Sequence, residues 1–215
     1  MDKKKNCFLN QQDAAQRLIK ELENVNFYNT MILSISTDAQ SLAQSVATHF
    51  DLPLEHLFLD PISAPENPEC IIAVVSELMD VVIDENLLQS FGIDIDYVYQ
   101  KAQENYEKNI IPLARRIRKG EKISSFENKN ILIIDESVET GFSIEVAIKT
   151  CVNHGCKSAS VATPVLSRDV ESYLLKICDC VYKVISPDFF VSTNYYYKEL
   201  QTQRKDLLLR ESYLV

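Results

Sequence analysis

Between Asn130 and Ile148 the chain reads NILIIDESVETGFSIEVAI, and the residues able to do chemistry crowd its middle: Asp135, Glu136 and Glu139, then Thr140, Gly141 and Ser143. Carboxylates at the end of an apolar strand suit the hydroxyls of a polyol or the waters of a hydrated Mg²⁺. A Thr-Gly step at a helix start suits an anion, because the first N–H groups of a helix lack intrahelical partners and glycine lets the backbone approach a ligand without a Cβ in the way. Gly141 is one of four glycines in the chain, so its place at this step is informative. Thr140 and Ser143 would add hydroxyl donors. One ligand meets both demands if it carries a phosphate at one end and a vicinal diol in the middle, as ribose 5-phosphate does. The plain alternative is a strand end followed by a solvated acidic turn. Glu139 must point away from any phosphate or sit near a cation, since like charges ~4 Å apart cost about 4 kcal/mol at an effective dielectric of ~20.

Such a loop needs a strand before it and a helix after it, and the chain supplies a series of both. An amphipathic helix is expected over about Asn10 to Asn24, a strand over Met31 to Ser36, and then a helix capped by Asp38 with Leu42, Val46 and Phe50 on one face. An extended stretch near Leu54 to Leu59 leads into a proline-rich loop from Asp60 to Glu69, where Pro65 and Pro68 rule out a helix. CIIAVV and DVVID read as strands, and about 94–119 as a long amphipathic helix ending at Gly120 and packing across the core. Strand 131–135, a helix from about Ser143, strand 158–166, helix 169–177 and strand 180–186 complete the series. Alternating strands and helices with short links imply right-handed crossovers in a mainly parallel sheet whose ligands lie at the carboxyl ends of the strands.

Composition sets the outer limits. With 215 residues, 46% of them hydrophobic, the chain fits a single α/β domain spanning 1–215, and its longest apolar runs are too short for a membrane span. A net charge of −9 disfavours a nucleic-acid partner held through phosphates. The basic N-terminal stretch has no apolar run behind it, and the irregularly spaced cysteines read as reduced, so a cytoplasmic location is expected. Cys151, His154, Cys156, Cys178 and Cys180 invite a zinc reading, but Cys151 continues the apolar face of Ile144, Ala147 and Ile148, and Gly155 reads as a helix end. His49 and His56 read as surface or interface residues. Arg115, Arg116, Arg118 and Lys119 read as a solvated helix end; Phe189, Phe190 and Tyr195 to Tyr197 could stack on a nucleobase or a second subunit, but read first as packing of a C-terminal flap over about 187–215.

ILIIDESVETGFS resembles the phosphoribosyl-diphosphate (PRPP) motif of the type I phosphoribosyltransferases. With SAPENPECIIAVV, ATPV and SPDFFVSTNYYYKELQ around it, about Met31 to Gln201 is similar to a group of predicted bacterial phosphoribosyltransferases of unsettled substrate. The resemblance implies a three-layer α/β/α fold with a mainly parallel central sheet and a smaller hood built from terminal and inserted segments. It further implies that Asp135 and Glu136 contact ribose hydroxyls, that Ser137, Val138, Thr140, Gly141, Phe142 and Ser143 wrap the 5-phosphate, and that Glu139 is catalytic, close to an acceptor base. Mg²⁺ would enter through PRPP or pyrophosphate near Asp135 and Glu136, without a protein cage. The implied partner is a small-molecule substrate, and a homodimer stays open. Relatives carry an Arg-Gly-Gly type turn in a second, pyrophosphate-binding loop after MILSIS; Thr37, Asp38 and Ala39 stand there in this chain, and Asp60 and Pro61 stand where relatives have Arg-Lys. Two functions follow from the resemblance: transfer of a phosphoribosyl group to a nucleobase or small nucleophile, or PRPP or nucleotide binding by a catalytically weak regulator.

Overall fold

The computed structural model describes residues 8–199. Five parallel strands form the central sheet in the order β2-β1-β6-β7-β8, where β1 is Thr30–Ser34, β2 Leu54–His56, β6 Asn130–Ile134, β7 Ser158–Val165 and β8 Val181–Ile185. The sheet carries helices on both faces, which is why β1 and β6 read as unbroken apolar runs. Ile32, Leu132 and Ile134 face α1 (Gln11–Leu22) and α2 (Gln40–Phe50), whereas Met31, Leu33, Ile131 and Ile133 face the side of α6 (Phe142–Asn153) and α7 (Arg168–Ile177). This is the three-layer arrangement the sequence implies.

The insertion between β2 and β6 departs further from expectation. The stretch 60–69, read as a loop, is a hairpin: β3 (Leu59–Ala64) turns through Pro65 and Glu66 into β4 (Asn67–Ser76), and β5 (Val81–Ile83) adds a third antiparallel strand. Pro61 is tolerated because β3 is an edge strand, and a register shift at Ser63 absorbs the irregular end. A helix absent from the sequence reading, α3 (Glu85–Phe91), follows β5; Asp84 caps it by accepting from the Leu87 N–H at 3.0 Å, and Gly92 ends it at φ +61°. The long helix is three pieces: α4 (Ile95–Asn105), a π turn over Tyr106–Ile110, and α5 (Ile111–Ile117). Pro112 offers no N–H to the helical ladder, and the chain relaxes into the wider turn just before it. These helices do not pack across the main core. Val98, Ala102 and Ile110 build a separate cluster on the small sheet with Ile72, Ala73 and Val75.

The small sheet is moored to α6. Thr150 Oγ1 meets Ser76 Oγ at 3.0 Å, Lys149 donates to the Val81 carbonyl at 2.8 Å, and Asn153 donates to Asp80 at 2.5 Å. A short helix, α8 (Thr193–Tyr196), lies in the C-terminal segment, and Tyr196 and Tyr197 are buried there with Phe8. The expected flap beyond residue 199 lies outside the described residues. Among the described residues no helix is long and apolar enough to cross a membrane.

Candidate functional site

The loop after β6 opens at the carboxyl end of the parallel sheet and is held from several sides. Its middle bridges to the end of β7, with the Val138 N–H donating to Val165 at 2.8 Å and the Ser167 N–H donating to Val138 at 2.9 Å. The C-terminal segment closes it from above: the Tyr197 hydroxyl donates to the Glu136 carbonyl at 2.7 Å, and the Ser137 and Thr193 hydroxyls lie 2.6 Å apart. Residues 135–144 and Thr193 enclose a crevice of about 200 Å³. The structure thus gathers Asp135, Glu136, Ser137, Val138, Glu139, Thr140, Gly141, Phe142 and Ser143 around one volume.

At the helix start Glu145 is the first residue to close a turn, donating to the Gly141 carbonyl at 2.8 Å. The N–H groups of Phe142, Ser143 and Ile144 precede it, and that of Phe142 has only a long 3.5 Å contact to Thr140 Oγ1. Thr140 and Ser143 are exposed. These are the donors an anion would use. The reason for Gly141 differs from the expected one. Its φ is +78°, and a Cβ there would point into α7, 2.7 Å from Val170 Cγ1 and 3.5 Å from Leu174. Glycine is needed for the left-handed turn and for seating α7, since a side chain there would be driven against Val170 and Leu174.

The acid pair is drawn together by a residue outside the motif. Ser36 Oγ lies 2.9 Å from Asp135 Oδ1 and 2.6 Å from Glu136 Oε2, and accepts from the Ala39 N–H at 2.9 Å. A hydroxyl has one proton and two lone pairs, so it can donate to one carboxylate and accept two bonds. Both close carboxyl contacts are satisfied when one acid keeps a proton. In keeping with this, burial, followed by the neighbouring Glu136 charge, pushes the Asp135 carboxyl well above its ordinary value. Burial likewise pushes the Tyr197 phenol up, so it remains a donor.

The second loop, at Thr37, Asp38 and Ala39, read as a degenerate counterpart of the relatives' pyrophosphate loop, is folded in on itself. Helix α2 starts at Gln40 with Ala39 as its cap and no side-chain capping bond, so Asp38 is not the expected cap. The Ala39 N–H is taken by Ser36, the Gln40 N–H leans on the Thr37 carbonyl at 3.4 Å, and the Gln11 amide covers the Asp38 carbonyl. Asp60 accepts from Asn109 at 2.7 Å.

Glu139 is exposed and also lines a larger cleft of about 950 Å³ between the loop, the small sheet and α7, together with Glu69, Glu85 and Glu145. Two basic-region expectations change. Arg118 is not a solvated helix end: it pairs with Glu77, the two side chains being 13% and 7% exposed, and donates to the His56 carbonyl at 2.9 Å. His56 is half-buried with an enclosed, unpartnered Nδ1, and burial, then the Arg118 charge, holds its pKa down at about 4. Cys151 lies in the core with Ile144, Ala147 and Ile148, while His154 faces Asp80 at 3.4 Å. Among the described residues no three His, Cys, Asp or Glu side chains cluster as a metal cage, so a cation at Asp135 and Glu136 would need oxygens from the ligand. Ser36, Thr193 and Tyr197 are the site residues that sequence reasoning missed. The aromatic run at 195–197 carried a packing signal, and a lone serine after a strand carried none.

Comparison with known proteins follows the same lines. The model of the phosphoribosyl transferase domain matches residues 8–199. Rv0571c of Mycobacterium tuberculosis (strain H37Rv), a phosphoribosyl transferase by name, is 23% identical over 197 residues, which cover 90% of this chain and 43% of that protein. The chain therefore spans less than half the length of the curated relatives it matches. Among solved structures, TT1426 from Thermus thermophilus superposes with a TM-score of 0.75 at 20% identity, covering 93% of this chain and 94% of its own. A Neisseria gonorrhoeae protein with bound ppGpp reaches 0.50 at 11% identity, covering 98% and 97%.

Proposed function

The chain belongs to the phosphoribosyl transferase domain family, and on that premise we propose that it binds PRPP or a nucleoside 5′-phosphate in the 135–143 loop. In this reading it transfers the phosphoribosyl group to a nucleobase or another small nucleophile, releasing pyrophosphate. The supporting observation is the crevice of about 200 Å³ in which an acid pair and an exposed helix start share one wall. Thr140, Gly141, Phe142 and Ser143, with Ser137 and Val138, would surround the phosphate, and Asp135 and Glu136 would take the ribose hydroxyls. Glu139, at the mouth of the larger cleft, would act on the acceptor. Mg²⁺, carried by the diphosphate oxygens, would offset the charge of the leaving group.

The test of place is a crystal soaked in phosphate, with density expected at residues 140–143; density found only elsewhere overturns the reading. The test of chemistry is titration calorimetry with PRPP, a nucleoside monophosphate and pyrophosphate, each with Mg²⁺, followed by an assay for pyrophosphate release. A second reading, a PRPP- or nucleotide-binding regulator with weak or no transfer, is favoured by the Ala39 N–H being taken up by Ser36 and by the Asp38 carboxylate beside it. Brisk pyrophosphate release with any base would exclude it.

A further inference from the structure

Asp135 and Glu136 are sequence neighbours just past a strand, where successive side chains point to opposite faces. Were both ionised, the two carboxyls would also repel each other. Left alone, the pair would splay, yet both reach the same hydroxyl, 99 residues from Asp135 and 100 from Glu136. Asp135 also accepts from the Glu136 N–H at 3.0 Å and shares a side-chain hydrogen bond with Glu136, whereas Ser36 is the partner that reaches the Glu136 carboxyl from outside the pair. Ser36 is itself fixed, because its oxygen accepts from Ala39 at the start of α2.

We propose that Ser36 is a positioning residue for ribose recognition: by gathering Asp135 and Glu136 on one side of the loop, it makes the pair selective for a vicinal diol. This rests on the reading of 135–143 as a phosphoribosyl site. Among the described residues no hydrogen bond joins Ser36 to residues 140–143, so the two parts of the ligand would be read by separable groups. Removing the hydroxyl leaves the cradle intact and frees Glu136 to swing toward solvent, away from Asp135. The same contact joins the acid pair to the 36–39 loop.

The experiment compares AMP, its 2′,3′-dideoxy counterpart and inorganic phosphate by calorimetry on the wild-type chain, Ser36→Ala and Ser36→Thr. Hydrogen bonds to a charged acceptor are among the stronger ones, so the wild type should favour the diol by about tenfold or more. Ser36→Ala should shrink that ratio to about threefold or less while phosphate affinity stays within about twofold, and Ser36→Thr, which keeps the hydroxyl, should restore it. An unchanged ratio in Ser36→Ala, or an equal loss for all three ligands, overturns the proposal. A wild type that binds phosphate and AMP without diol preference overturns it too, and leaves the phosphate reading standing. A wild type that binds none of the three overturns the phosphoribosyl reading, and this inference with it.

Discussion

Strands β1 and β6 lie side by side in parallel, with Ser34 opposite Ile134, and each runs through a short loop into a helix on its own face of the sheet. Their loops nonetheless behave differently. After β6, a glycine at φ +78° delivers an exposed helix start, and the loop is held in place by β7 and the C-terminal segment, leaving its own leading N–H groups available. After β1 there is no glycine, Ala39 is buried, and the Ala39 N–H bonds to Ser36 within the loop at 2.9 Å. Topology alone therefore does not decide which backbone donors a loop leaves available. What matters is whether something outside the loop supports it, so that its own donors stay available.

The largest effect should come from the scaffolding behind β1. The Ser34 carbonyl is held by Leu57 at 2.9 Å, the Phe58 carbonyl and N–H are both held by Glu77, and Glu77 is neutralised by Arg118. Arg118→Met leaves a buried carboxylate uncompensated and should cost about 3–5 kcal/mol in urea unfolding, with nucleotide selectivity unchanged. A loss below about 1 kcal/mol would mean that water replaces the guanidinium.

Next is Gly141→Val. A β-branched side chain in a left-handed turn, driven against Val170, should cost about 2–4 kcal/mol and abolish phosphate binding, with Gly141→Ala costing about half as much. Full stability with lost binding would instead put the side chain on the ligand side.

The contrast in donors predicts a third, smaller effect. With Mg²⁺ present, PRPP should bind no more than about tenfold tighter than a nucleoside monophosphate, a gap of ~1.4 kcal/mol. Combining Thr37→Arg with Asp38→Gly should widen that gap by supplying a cation and freeing the backbone. Submicromolar PRPP binding by the natural chain would erase the asymmetry between the loops.

The smallest effect concerns pH. Because the folded state raises the Asp135 pKa, it holds that proton more tightly than the unfolded chain does. Its contribution to stability is complete below the unfolded value of about 3.9 and is lost as pH rises toward the folded one. Asp135→Asn lacks this decline, so its melting temperature should gain on that of the natural chain as pH rises from about 4 to 8. A constant difference across that range would mean that both acids are ionised in the folded state.

The sequence by itself determined whatever depends on near neighbours. Periodicity placed the strands and helices of the main sheet within a few residues, and the order acid, acid, Thr-Gly, hydroxyl marked the β6 loop because all of its parts lie within nine positions, Asp135 to Ser143. Even α3 had a readable cap in Asp84 and a readable stop in Gly92. Tertiary structure decided whatever depends on which strands become neighbours. The pairing of β1 with β6 brings Ser36 to Asp135 and Glu136, the seating of α7 explains Gly141, and the return of the insertion onto β2 buries Arg118 against Glu77. No local pattern encodes these contacts, because a lone serine, glycine or arginine acquires its role from a partner dozens of residues away, and sheet order, not spacing along the chain, selects that partner.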